Sequence, residues 1–423
     1  MLAYTATCMI DHGLDTMRKR YERIDKIIAV EVYLLIIFSF VTKGEAIRNI
    51  LLYSGFFLWL VTLKYKVNKS VLIKPVPVLF LVFILSVAVS VIFSIDPIYS
   101  FKQLRGDPLK SIILLCLITT ALADEKRLLT VIYLAIALLA FTLSQGYYSY
   151  WAYDMPLMKP VTFIRHAWHT RFAMDINTLL PFTCIALFRS RNAVLKIALS
   201  LLLVASMVAV MLSTSRGGMT ALLVISLVWL LGVSKKTKIN WNICVAGTMT
   251  AAVILGAILA FSTDTRKRIA DLAHDVGTFH ERTYIWGPLI SAGLQRPVTG
   301  WGYGPGVFVS DRPFENTSYK KAPVHLKDAF RNPHNSFLKI FFHQGLMGLI
   351  SYTTLLVIAT ISFWRNIDRT DELRSYILIS CASIMTGTYF VNSIVENPHL
   401  TDIVLILGIG SAALYTISED SHN

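Results

Sequence analysis

The sequence predicts an all-α polytopic membrane protein of about twelve transmembrane helices, and three observations predict it. Hydrophobic residues make up 55% of the 423-residue chain and charged residues only 16%, against about 25% charged in soluble domains. The apolar residues fall in long runs, many near the ~20 residues that cross a bilayer as a helix. Short basic connectors recur between those runs, the mark of a chain that keeps its Lys and Arg on the cytoplasmic side.

The first run, 27–42, follows a basic cluster of Arg18, Lys19, Arg20, Arg23 and Lys26. That cluster comes late and no small-x-small cleavage site follows, so the segment reads as a membrane helix and not a cleaved signal. Its Glu31 is costly in lipid and is expected to face protein or the interface. Further spans are read at 47–63, 77–95, 109–123, 128–147, 172–188, 194–213, 217–233, 243–262, 336–362, 374–393 and 399–417. With the N-terminus in the cytoplasm, the basic connectors at 64–74, 189–196, 234–238 and 365–374 all lie on the cytoplasmic side, as does the C-terminus. The two long connections, 148–171 and 263–335, then face outward, since long loops translocate largely regardless of their charge. The stretch Tyr147-Tyr148-Ser149-Tyr150-Trp151-Ala152-Tyr153 fits an aromatic belt at the outer interface. No internal repeat or separate soluble domain is visible, so 1–423 reads as a single transmembrane domain carrying these two loops.

The net charge of +14 would suggest nucleic acid in a soluble chain. Here the basic connectors explain most of it, nucleic acid is not an expected partner, and the remainder is available to bind an anion. Five cysteines, Cys8, Cys116, Cys184, Cys244 and Cys381, lie far apart in no metal or redox spacing and read as packing residues.

The long outward loop has structure of its own. Within 281–297, Ile285, Leu289 and the pair Trp286/Ile290 recur at helical spacing, which predicts an amphipathic helix. Gly300-Trp301-Gly302-Tyr303-Gly304-Pro305-Gly306 then breaks any helix. It is either a turn that lets the rings of Trp301 and Tyr303 approach a substrate or a plain connector; it is not a nucleotide fingerprint, because no strand–helix unit surrounds it.

Arg216, in Leu212-Ser213-Thr214-Ser215-Arg216-Gly217-Gly218, stands between two strongly apolar segments. A guanidinium stays charged and grips phosphate or carboxylate in a bidentate way, and a helix starting there would add N–H donors; the other reading is a turn whose arginine snorkels to headgroups. Arg282, at the start of the amphipathic helix, could bind a second phosphate, or pair with Glu281 or headgroups. His334, in Arg331-Asn332-Pro333-His334-Asn335-Ser336, marks the return into the membrane; it serves either as a general base toward a sugar hydroxyl or as a ligand of the helix terminus. Asn335 and His343 are candidates for the same site, and Glu396 falls at the outer end of the last hairpin, where it could face the same cavity. The cluster Arg165-His166-Ala167-Trp168-His169-Thr170-Arg171 offers Arg165, His166, His169 and Arg171 to a phosphorylated or sugar ligand, or to headgroups. Asp175 and Asn177, just inside the next span, are expected to pair within the bundle. No Walker motif, acidic pair or zinc spacing is present in the outward loops, so the expected site has no metal and no cofactor and relies on cationic side chains.

The order of these motifs resembles the O-antigen ligase family of bacterial inner membranes, related to O-antigen polymerases and protein O-oligosaccharyltransferases. The resemblance lies in Thr214-Ser215-Arg216-Gly217-Gly218, then Arg282-x-x-x-Trp286, Pro297-x-x-Gly300-Trp301-Gly302-Tyr303-Gly304, Pro333-His334-Asn335-Ser336 and Gln344-Gly345-Leu346-x-Gly348. It implies a fold like the C-type membrane glycosyltransferases. It also implies inverting, metal-independent transfer of a polysaccharide from undecaprenyl diphosphate to a sugar hydroxyl of lipid A–core, on the periplasmic side. Arg216 and Arg282 would hold the diphosphate and His334 would act as base. The same motifs fit an O-antigen polymerase, whose acceptor is a second lipid-linked glycan. A transporter of polyprenyl-linked glycan is a further alternative, against which stands the absence of paired halves.

Overall fold

The computed structural model describes residues 2–41, 44–63, 74–152, 169–213, 215–238, 276–308, 312–315, 317 and 333–414; of these, the side chains of 2–19 and 276–284 are not described. Among the described residues the chain is helical and contains no strand. The helices are α1 (Leu2–Ser39), α2 (Glu45–Leu63), α3 (Pro75–Ile92), α4 (Pro97–Leu104), α5 (Asp107–Ala121), α6 (Glu125–Ala152), α7 (His169–Arg189), α8 (Ala193–Leu212), α9 (Arg216–Thr237), α10 (Val276–Gln295), α11 (Ser336–Arg365), α12 (Glu372–Ile384) and α13 (Leu400–Ala413). A π-helical turn, Met385–Val391, continues α12. Seven helices among the described residues are long and apolar enough to cross a membrane: α3, α6, α7, α8, α9, α11 and the stretch Glu372–Ile394. The chain is thus a membrane protein with several apolar helices. The span read at 243–262 lies outside the described residues, and α13 is a shorter apolar helix. A short helix, α4, occupies a stretch that the sequence presents as a connector; Asp96 caps it by accepting from Tyr99 N at 2.9 Å.

Polarity decides which helices sit at the centre. The two least hydropathic spans, α7 and Glu372–Ile394, are each 78% buried, whereas the strongly apolar α8 is 28% buried. Some polar side chains on the central helices find partners there: Ser380 donates to the Pro181 carbonyl at 3.2 Å, and Trp229 donates to Ser380 Oγ at 3.2 Å. The peripheral spans turn Leu85, Leu201, Leu223 and Ile350 outward, an arrangement stable only against an apolar surround. Glu31 faces protein, with its Oε1 accepting from Ser54 Oγ at 2.8 Å.

The bundle has two chemically different ends. At one, the basic connectors hold each other: Lys235 pairs with Asp368 at 3.0 Å, Lys236 donates to the Thr370 carbonyl at 3.1 Å, Arg374 donates to the Ala123 carbonyl at 2.9 Å, and Arg127 pairs with Asp25. The helix starts at Asp107, Arg216, Ser336 and Leu400 gather at the other.

The run 336–362, expected as one span, is broken at Gly345. Gly345 has φ 64 and ψ −158, a region open essentially to glycine alone. The glycine-rich loop fills the break. Trp301 N and Gly302 N donate to the carbonyls of Phe342 and His343, each at 3.0 Å, and Leu346 N donates to the Pro297 carbonyl at 2.7 Å. Groups that a broken helix orphans are thereby met by backbone of the loop, and Ser90 Oγ also donates to the His343 carbonyl at 2.5 Å. A Cβ on Gly345 would lie 2.4 Å from the backbone of Val298, and one on Gly300 2.4 Å from that of His343. Gly345→Ala is therefore expected to destabilise the protein by at least ~1–3 kcal/mol, read as a lowered thermal midpoint in detergent, whereas Gly287→Ala, which meets nothing within 4 Å, should leave it unchanged.

Candidate active site

Ser215 caps α9 by accepting from Gly218 N at 3.1 Å, which makes Arg216 the first helical residue, as the anion reading requires. The arginine is exposed at the mouth of this end. Its two glycines let the helix start sit deep. A Cβ on Gly217 would fall 2.2 Å from Asn392 Oδ1 and 2.6 Å from Val395, and one on Gly218 would fall 2.6 Å from Ala173. Asn177, from α7, donates to the Gly218 carbonyl at 2.8 Å.

His334 stands before the cap of α11 with φ 48, left-handed backbone that is uncommon outside glycine and asparagine and costs about 1–2 kcal/mol. Its Nδ1 is 3.5 Å from Glu396 Oε2, and such strain with a carboxylate partner is frequent at reactive sites. Asn335 is committed to capping, its Oδ1 accepting from Leu338 N at 2.9 Å. Ser336 Oγ donates to the Glu396 carbonyl at 3.1 Å.

The segment joining the π-turn to α13 ties these features together. Val395 N and Glu396 N both donate to the Asn392 carbonyl, at 3.0 and 2.9 Å. One face of this tight turn touches Gly217, beside Arg216, and Glu396 reaches His334. On the far side, Trp286 of α10 donates to the Pro333 carbonyl at 2.9 Å. Arg282 lies on α10 one turn before Trp286; its side chain is outside the described residues. Residues 215–217, 286, 333–336 and 392–396 thus form one cluster.

The remaining candidates separate. Arg165 and His166 lie outside the described residues, and His169 opens α7, half-buried. Arg171 is buried and bound on both sides, to Asp175 at 3.2 Å and to Asp402 of α13. Removing it leaves two buried carboxylates without their cation, so Arg171→Met is expected to lose about 3–5 kcal/mol of stability with no selective change in any KM. Trp301 is turned inward: its Nε1 donates to the Ala292 carbonyl at 2.7 Å, and Arg296 stacks 4.4 Å from its ring. It belongs to a small second core with Ile285, Leu289, Phe308 and Phe342, so the expected amphipathic helix packs on α11 through Ile285 and Leu289 and leaves Ile290 exposed. Tyr303 and His343 line a cavity beside the cluster. Burial and the nearby Asp107 carboxylate push the Tyr303 phenol up, so it remains a neutral O–H donor.

Residues 201–353 match the family described as O-Antigen ligase. The matched stretch begins in α8 and ends in α11; it contains Arg216, α10, the glycine-rich loop, His334 and the break at Gly345. Over that stretch, about a third of the chain, the sequence is similar to the O-antigen ligase family. No curated protein matches the chain.

Sequence reading passed over two charged residues at this end, Asp107 and Lys339. Lys339 had a signal: it is an ionisable residue about one turn into an apolar run, and such residues are functional by default. Asp107 had only its place between two spans. Asn392, buried with both side-chain polar atoms unbonded among the described residues, carried none.

Proposed function

We propose that this chain is an O-antigen ligase, transferring a polysaccharide from undecaprenyl diphosphate to a sugar hydroxyl of lipid A–core. It acts from the periplasmic side of the bacterial inner membrane, with twelve spans, both termini cytoplasmic, outward loops 148–171 and 263–335, and a fold like the C-type glycosyltransferases. The observation that carries this reading is the turn 392–396, which lies against the start of the Arg216 helix and against His334 at the end of the bundle opposite the basic connectors.

With Nδ1 toward Glu396, His334 presents Nε2 as the base. Nε2 takes the proton of the acceptor hydroxyl, whose oxygen attacks the anomeric carbon from the face opposite the diphosphate. The bond from that carbon to the phosphate oxygen breaks, its electron pair leaves with undecaprenyl diphosphate, and the anomeric configuration inverts. Arg216 and Arg282 hold the diphosphate where this charge develops; fixed cations in a partly dry site are the strongest form of such stabilisation. The resident groups suffice for this displacement with no cofactor. Glu396 orients and balances the imidazolium, while Asn335 caps α11 beside it.

Purified protein reconstituted with lipid-linked glycan and lipid A–core should yield covalently extended lipid A–core; no product with several matched acceptors sinks the ligase reading. A deletion strain separates the polymerase alternative. Loss of the whole ladder from lipopolysaccharide, with glycan accumulating on its carrier, marks a ligase, whereas single-repeat lipopolysaccharide marks a polymerase.

A further inference from the structure

A cavity of about 300 Å³ opens beside α11, walled by α3, α5, α11 and the start of α13. A second, of about 270 Å³ against α1 and α2, shares Asp107 and His399 with it, so the two adjoin. The first is lined by an unusual mixture for a helix bundle: Asp107, Tyr303, Lys339, His343, Asn397 and His399.

Two of these groups have hydrogen-bonding capacity that the protein does not meet. His343 is 2% exposed and its Nδ1 is 2.6 Å from the Gly302 carbonyl. A carbonyl only accepts, so Nδ1 carries the proton and, in the neutral ring, Nε2 is an acceptor. That Nε2 is buried and has no partner among the described residues. One turn earlier, the Lys339 ammonium makes no hydrogen bond or ion pair among the described residues, and the Asp107 carboxylate acts on it only at longer range. Leaving the buried His343 Nε2 unmet costs about 1–3 kcal/mol, and native interiors rarely leave such an atom so without a water or a ligand.

The chemistry selects the occupant. A lipid tail would leave Lys339 and Nε2 unmet. A bare anion suits Lys339 but is repelled by Asp107 and by the Nε2 lone pair. A hydroxyl both donates and accepts, and a sugar ring carries several at fixed angles. We infer that this cavity is a saccharide subsite, in which ring hydroxyls accept from Lys339 and donate to Asp107 and to His343 Nε2. Asn397 and Ser336 line it, and they adjoin Glu396 and His334. Assigning the sugar to the acceptor rests on the transferase reading above; the binding of a sugar does not.

The test is titration of full-length protein in detergent, by calorimetry, with core oligosaccharide freed of lipid by mild acid. Binding is expected to weaken about tenfold, the loss of one hydrogen bond, in Lys339→Met and in His343→Asn; the asparagine amide can keep the bond to Gly302 while removing the Nε2 acceptor. Gly287→Ala, which does not line the cavity and meets nothing within 4 Å, should bind as the wild type does. Lys339→Met removes no described hydrogen bond or ion pair and so keeps the test decisive if His343→Asn misfolds. The subsite is overturned by any of three results: no wild-type binding at millimolar oligosaccharide, a wild-type dissociation constant in Lys339→Met, or displacement of the sugar by inorganic phosphate. The titration contains no donor lipid. A wild type that binds as described yet transfers nothing would end the ligase assignment and leave the subsite standing.

Discussion

Replacing His334 with asparagine is expected to lower the turnover of glycan transfer by about 10²–10⁴-fold while the protein stays folded and still binds its donor. The choice of asparagine follows from the backbone. At φ 48 most side chains are strained, and asparagine is among the few that tolerate the left-handed region, so this variant removes the base without adding strain. His334→Gly goes further: the strain disappears and a space remains where the ring stood, so added imidazole should restore part of the lost turnover. A histidine that only ties down the helix start would behave in the opposite way. Both variants would then retain transfer, because Asn335 caps α11 by itself and Ser336 holds the 396 carbonyl by itself. Near-normal turnover in His334→Asn, measured with matched donor and acceptor, removes His334 as the base.

Much of this arrangement was legible in the sequence, and the parts that were not share a physical cause. Apolar runs locate helices because a bilayer demands them, and Ser215-Arg216 and Pro333-Asn335 announce helix starts through local capping chemistry. What hydropathy cannot register is a break whose orphaned groups are met by another segment: Gln344-Gly345 sits inside an apolar run, and its partners at 297–302 lie in a loop. Nor does local pattern reveal which charges cancel. Arg171 looks like a ligand-binding residue until Asp402, 231 residues away, closes on it. The pairing of His334 with Glu396 spans 62 residues and depends on how tightly the turn after the π-helix folds. The residues proposed for the site stand out one at a time in the sequence; their neighbours are decided by packing.

Arg216→Ala is expected to reduce turnover by about 10²–10³-fold, the loss that follows removal of one group stabilising developing negative charge, with the thermal midpoint unchanged. Stability should hold because the side chain is exposed and the helix start is held by Ser215 and Asn177, neither of which needs the guanidinium. Arg216→Lys should recover only part of the loss, since an ammonium supplies the charge but not the planar fork that fits a phosphate. A snorkelling arginine that only contacts headgroups predicts otherwise: lysine would then be a full substitute and alanine a mild change. Gly217→Ala provides the complementary experiment. Its methyl group would collide with Asn392 and Val395 and push the 392–396 turn, with Glu396, away from His334. Turnover should fall although Arg216, His334 and Glu396 are all present. If Gly217→Ala transfers normally while Arg216→Ala does not, the arginine acts alone and the turn is not the element that joins it to the histidine.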